Sequence, residues 1–199
     1  MSVRGAVRRA KAAVQRKPKR EELAVASVRT RAGRVFVICT ARGLREVRLG
    51  AAEAPTRREE RSRGVRYVRR PKWTSAAVRA LERFVEGRQI PSSLPLDLAV
   101  GTDFERRVWE ATRRVPWGSL ASYTAIAAGA GSPRAVRAVG NALGRNPVPI
   151  VVPCHRVIHF GGSIGGFTSG LPWKRYLLAL ERGQLELTWP PRRLLGLFR

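Results

Sequence analysis

The chain has 199 residues, 44% of them hydrophobic, enough for one ordinary domain or two small ones. No apolar run approaches the ~18 to 20 residues of a membrane-spanning helix, and the N-terminal stretch lacks the apolar core of a secretory signal. Lys and Arg total 39 against 14 acidic residues, a formal charge of +25 that favours a polyanionic partner, because each phosphate contact releases counterions. Ribosomal, chromatin-type and repair proteins share that charge, so it indicates nucleic acid and nothing finer. Most of the excess lies in the first 100 residues.

Residues 1–22 are basic and poor in large apolar side chains, the composition of a flexible arm or a plain solvated tail. Alternating apolar positions then predict strands over Ala24–Val28, Arg34–Ile38 and Leu44–Leu49. Cys39 closes the second strand and reads as a buried structural thiol. Residues 51–64 are charged and turn-rich. Val78, Leu81 and Val85 share one helical face, so a helix is expected over Ser75–Arg88. A proline-bounded linker, Pro91–Pro95, and a short extended piece, Leu96–Val100, follow.

At Thr102 the texture becomes helical. Thr102 and Glu105 form a capping box, and Phe104, Val108, Trp109 and Val115 supply an apolar face that ends at Pro116-Trp117-Gly118. A helix over Ser122–Ala128, a Gly129-Ala130-Gly131 break, and a helix from Ser132-Pro133 to Gly144 outline a helix-turn-helix. Ile150-Val151-Val152 then reads as a buried strand or extended piece leading to Cys154. Three prolines in that approach stiffen it, which suits a reacting group. A Cys-His neighbour pair is weak evidence by itself, and a buried structural Cys154 remains open on these grounds. With only Cys39, Cys154, His155 and His159 in the chain, neither a disulfide framework nor a metal site is expected.

The run NPVPIVVPCHRVI, preceded by SYTAIAAGAGSPRAVRAVGNALGRN and followed by GGSIGGFTSGLPWKRYLLALERG, resembles the O6-alkylguanine-DNA alkyltransferases. The resemblance is continuous from Thr102 to Gly183. It implies an α+β chain: a small strand-rich, ribonuclease H-like domain over residues 23–95, then a mostly helical domain over 96–185. The second domain would hold a helix-turn-helix of winged-helix type, and residues 186–199 would form a tail.

The resemblance also implies roles. Cys154 would accept the alkyl group. His155 would take the thiol proton through a water, oriented by Glu181, while Asn146 holds the surrounding turns. Tyr123 would give a proton to the departing guanine. Arg137 would fill the gap left by an extruded nucleotide, with Tyr123, Thr124, Ser132 and Arg134 at the DNA. Pro149, Val157, Ser163, Ile164, Gly165, Phe167 and Thr168 would line the base pocket. Phe167 departs from the family's usual Tyr, which removes a hydroxyl and keeps the ring.

The implied reaction is single-turnover, with no cofactor and no metal. The implied partner is double-stranded DNA carrying O6-alkylguanine, with O4-alkylthymine as a further candidate, met by a monomer in the cytoplasm at the nucleoid, or in the nucleus of a eukaryote. Three other readings compete. A lesion-binding relative would lack the acceptor cysteine. A transcription regulator would need base-reading side chains on its second helix, where this chain has small ones. A Cys-His hydrolase would turn over repeatedly.

Overall fold

The computed structural model describes residues 20–50 and 54–184. Strands β1 (Glu21–Thr30), β2 (Gly33–Thr40) and β3 (Gly43–Arg48) form an antiparallel meander, and β4 (Val65–Val68) adds to β1 in parallel, giving the order β3-β2-β1-β4. A parallel neighbour needs a crossover, supplied here by helix α1 (Arg57–Arg63). Helix α2 (Pro71–Val85) lies across β1 and β2 and buries Ala77, Ala80, Leu81 and Phe84 against Val28, Val35 and Val37. Leu23, Ile38 and Val65 make a smaller cluster.

The exposed edge of β3 is covered by the chain itself. Leu44 exchanges backbone bonds with the end of the linker and the residues after it (Leu44 N to Pro95 O and Asp97 N to Leu44 O, 2.9 Å each), and Val47 N donates to Pro147 O at 2.8 Å. Such cover removes a free pairing edge. Asp97 fixes the linker further: its carboxylate accepts from Thr40 Oγ1 at 2.7 Å and from Arg45 Nη2 at 2.8 Å, and pairs with Arg42. Burial alone would raise the Asp97 pKa, but Thr40, Arg45 and Arg42 hold it down to about 2.

Helices α3 (Asp103–Arg113), α4 (Tyr123–Gly129), α5 (Val136–Gly144) and α6 (Leu171–Glu181) build the second half. The Thr102/Glu105 capping box forms as expected. Trp109, 1% exposed, packs between helices and donates from Nε1 to Ala142 O at 2.8 Å, locking α3 to α5. A two-residue strand, β5 (Ala121–Ser122), pairs in parallel with β6 (Val157–Ile158), which follows a 3-10 turn at Cys154–Arg156. One apolar cluster runs without a break from Val28 to Leu180, so both halves share a core.

Several boundaries differ from those expected. The first strand starts at Glu21, inside the stretch read as an arm; residues 1–19 and 185–199 lie outside the described residues. The charged 51–64 segment contains helix α1, capped by Thr56 with Glu59 and stopped by Gly64 at φ 65°. Helix α2 begins at Pro71 and ends at Val85, not over Ser75–Arg88. Of Leu96–Val100, only Leu96 pairs, in a single bridge to Leu44. Ser132 and Pro133 form a turn, with Ala135 N bonded to Ser132 O at 2.9 Å, and α5 starts only at Val136.

Ile150–Val152, read as a buried strand or extended piece, is a tight turn instead. Val152 N bonds to Val148 O at 2.9 Å, and Ile150 has φ 77°. A β-branched residue in the left-handed region costs about 1–3 kcal/mol and persists only where its surroundings impose it. Prolines 147 and 149 offer no N–H to a strand ladder, which favours the turn.

Candidate active site

The strained turn at 148–152 delivers Cys154. Asn146 closes the turn from the end of α5: its Oδ1 accepts from Val148 N at 3.0 Å, and its Nδ2 donates to Val152 O at 2.9 Å and to Cys154 Sγ at 3.1 Å. One amide thus couples the turn to the thiol. Burial raises the Cys154 pKa, and the Asn146 bond and the nearby Lys174 charge lower it only in part, so the resting group is a thiol.

His155 is fully buried beside it. Its Nε2 lies 2.7 Å from Glu181 Oε1. Burial would raise the Glu181 pKa, yet His155 and Arg156 bring it down to about 2. Glu181 is therefore a carboxylate and can only accept, which puts the ring proton on Nε2 and leaves Nδ1 with a lone pair. Nδ1 is buried and has no partner among the described residues. Burial also lowers the His155 pKa, so the ring rests neutral and able to take a proton.

Glu181 is itself held tightly. Arg156 donates to it from Nε at 2.9 Å and from Nη2 at 2.9 Å, and Gly118 N donates at 3.2 Å. Arg156 in turn reaches Val115 O at 2.5 Å and stacks over Trp117 at 5.7 Å. These contacts fix the carboxylate, the carboxylate fixes the imidazole, and His155, Arg156 and Glu181 are all buried.

A pocket of about 200 Å³ opens in front of the thiol, lined by Tyr123, Gly140, Leu143, Gly144, Cys154, Gly166, Phe167 and Thr168. Tyr123 enters because β5 and β6 pair in parallel, bringing the start of α4 beside the segment after Cys154. Burial raises the Tyr123 pKa, with the Cys154 charge acting in the same sense, so its hydroxyl stays protonated. Thr168 Oγ1 donates to Gly144 O at 2.9 Å, closing the glycine loop onto α5.

Residues 103–183 match the family model described as 6-O-methylguanine DNA methyltransferase, DNA binding domain. A Methanosarcina barkeri protein named methylated-DNA–protein-cysteine methyltransferase is 43% identical over 121 residues, covering 60% of this chain and 75% of that protein. The crystal structure of Mycobacterium tuberculosis OGT in complex with DNA superposes with a TM-score of 0.68 at 34% identity, covering 81% of this chain and 94% of that one. The O6-methylguanine-DNA methyltransferase of Pyrococcus kodakaraensis is similar at a TM-score of 0.57 and 26% identity, over 80% and 98% of the two chains. The chain belongs to the methylated-DNA–protein-cysteine methyltransferase family. Its mixture of helices and strands, with a small sheet, matches the fold of these relatives.

Within this methyltransferase, the structure gathers Cys154, His155, Glu181, Asn146 and Tyr123 at one place. Phe167 and Thr168 line the pocket, whereas Pro149 and Val157 are buried and are not among its lining residues, and Ser163, Ile164 and Gly165 lie on the loop that carries Gly166 and Phe167. Gly165 has φ 66°, and a Cβ there would lie 3.1 Å from the His159 ring and 3.2 Å from the Tyr123 hydroxyl, so a side chain would crowd the rim. Thr124, Arg134 and Arg137 are exposed; Ser132 is half-buried in its turn. Arg134 and Arg137 have no ion pair among the described residues.

Lys174 escaped the sequence reading. It is fully buried on α6, donating from Nζ to Val157 O at 2.7 Å and to Gly166 O at 3.3 Å. Burial brings its pKa down to about 8, with the Cys154 charge pulling the other way. The available signal was its place among apolar residues of an amphipathic helix, where a lysine is out of pattern. Gly140, Leu143, Gly144 and Gly166 were likewise missed as pocket lining, since the sequence does not show which helix face meets the thiol.

Proposed function

We propose that this protein repairs DNA by direct reversal, moving the alkyl group from O6 of a damaged guanine to Sγ of Cys154 once per molecule. The observation that carries the reading is the arrangement at Cys154: a thiol lining a pocket, with a neutral, correctly oriented imidazole as the next residue and a fixed carboxylate behind it. The relatives' names point the same way, as does the Mycobacterium tuberculosis protein's complex with DNA.

The chemistry is a single displacement. A sulfur lone pair forms the S–C bond as the C–O6 bond breaks, and the bonding pair goes to the purine. The thiol proton passes through one bridging water to Nδ1 of His155, while Nε2–H stays with Glu181 and steadies the imidazolium. The Tyr123 hydroxyl gives its proton to the purine as it leaves. The Lys174 ammonium favours the developing thiolate. The thioether is stable, and nothing in the site is placed to hydrolyse it, so the reaction consumes the protein.

O6 lies within the duplex stack, so the base must be extruded to reach the pocket. Arg137, on the exposed side of α5 among Ala135, Val136, Ala138 and Gly140, fills the gap; Thr124, Ser132 and Arg134 meet the backbone nearby. Phe167 packs on the purine face. The sheet order β3-β2-β1-β4 supports a ribonuclease H-like N-terminal part over 23–95, and the β5–β6 pair beside α4 and α5 supports a winged-helix reading of 96–185. No helix among the described residues is long and apolar enough to cross a membrane. The site of action is wherever the cell keeps its DNA.

Mixing the protein with excess duplex carrying O6-methylguanine should repair one lesion per chain and then stop. Cys154→Ser should bind the duplex and repair none. Repeated turnover would overturn the reading.

A further inference from the structure

The turn after β6 carries a feature that the repair reading leaves unused. Because Ser122 pairs with Ile158, the next residues on the two strands, Tyr123 and His159, meet with ring centroids 5.0 Å apart and planes inclined by 38°. The chain then reverses at once: His159 N bonds to Ser163 O at 3.0 Å and Gly162 N to His159 O at 3.1 Å, with Gly161 and Gly162 at φ 97° and 88°. Phe160 stands at the tip of this turn and is 93% exposed.

An isolated exposed hydrophobe is ordinary; the position of this one is not. Tyr123 lines the pocket, takes His159 over its ring, and lies 3.9 Å from the Cβ that Gly140 of α5 would carry. Arg137 sits one turn before Gly140 on that helix. The mouth is therefore bordered by the helix bearing Arg137 and by the turn bearing Phe160, with Tyr123 joining them. A molecule arriving there offers phosphates to the arginines and, once a nucleotide has left the stack, a bare base face. An aromatic ring covers such a face well, and apolar side chains inserted at base steps are a recurring way to hold duplexes open.

We propose that Phe160 is a second wedge, stacking on the base next to the extruded nucleotide and sharing with Arg137 the work of keeping the lesion out of the duplex. The inference rests on the repair reading above. His159 is the positioning residue, since its contact with Tyr123 sets where the tip projects.

The test compares Phe160→Ala and Phe160→Trp with the unaltered protein on two substrates, a duplex with one O6-methylguanine and free O6-benzylguanine, in single turnover. The alanine variant should repair the duplex about tenfold more slowly, the size expected for losing one base–aromatic stack, and react with the free base at the unaltered rate. The tryptophan variant should keep duplex repair. 2-Aminopurine placed beside the lesion should report the same order, its emission on binding changing with Phe and Trp and not with Ala. Wild-type duplex repair by Phe160→Ala, or an equal loss on both substrates, would overturn the wedge while leaving the repair reading intact. Absence of repair by the unaltered protein would remove both.

Discussion

Glu181 shows how one carboxylate, read from sequence only as a family match, organises a site. It receives His155, both donors of Arg156's fork and a backbone N–H, and its charge dictates the tautomer that leaves Nδ1 basic. Glu181→Gln should slow transfer by about 10² or more, the usual scale of general-base catalysis, without unfolding the chain. Single-turnover rates at the unaltered level would remove the relay. Lys174 bears on the thiol at the same scale through its charge. Since burial already raises the Cys154 pKa, Lys174→Met should raise it further and move the pH profile of iodoacetamide labelling at Cys154 upward; an unmoved profile would show that the ammonium does not reach the thiol. Cys154, His155 and Asn146 were singled out through the family resemblance of one contiguous run, since the residues by themselves left a buried structural Cys154 open. Lys174 and Glu181 take their meaning from α6 folding back, and spacing along the chain carries no trace of that.

At the level of elements, the capping boxes were the most legible feature and backbone strain the least. Thr102 with Glu105 marked the start of α3 correctly, and the same pattern in Thr56 with Glu59 marks α1, hidden by the charge of its neighbours. Thr102→Ala should cost about 1 kcal/mol in denaturant unfolding, the usual value of a lost cap. The Ile150 turn had no such signature: three consecutive apolar β-branched residues read as a strand until Asn146 and the prolines are seen bending them. Helix α5 makes a separate prediction. Arg137→Ala should slow repair of duplex DNA, change the salt dependence of binding little, and spare the reaction with free O6-benzylguanine, because extrusion and not attraction is lost. Arg79→Ala, on the exposed face of α2, serves as the control. Equal loss on both substrates would assign Arg137 to the pocket or the fold.

Across the whole molecule, the continuous core makes the N-terminal half part of the active-site frame. Phe84 on α2 meets Trp117 edge-on at 5.4 Å, and Trp117 carries Arg156. None of these long-range pairings was readable from sequence, nor was the order of the sheet, because strand patterning fixes faces and not neighbours. Two buried carboxylates, Asp97 in the linker clamp and Glu181 in the site, are held at about 2 from ordinary values of 3.8 and 4.5. Groups depressed in this way add stability that is complete above their unfolded values and is lost as pH falls toward 2. Thermal stability should therefore decline steeply below about pH 4.5, and Asp97→Asn should flatten part of that decline; an unaltered slope would discount the clamp.

The central claim concerns one atom, Sγ of Cys154, against the other thiol in the chain, Cys39, which is fully buried with its pKa raised to about 12 by that burial. Peptide mass mapping after reaction with O6-methylguanine duplex should find one added methyl group per chain, on the peptide containing Cys154, with Cys39 unmodified. A methyl group on Cys39, or none on the protein while the DNA is restored, would contradict the account.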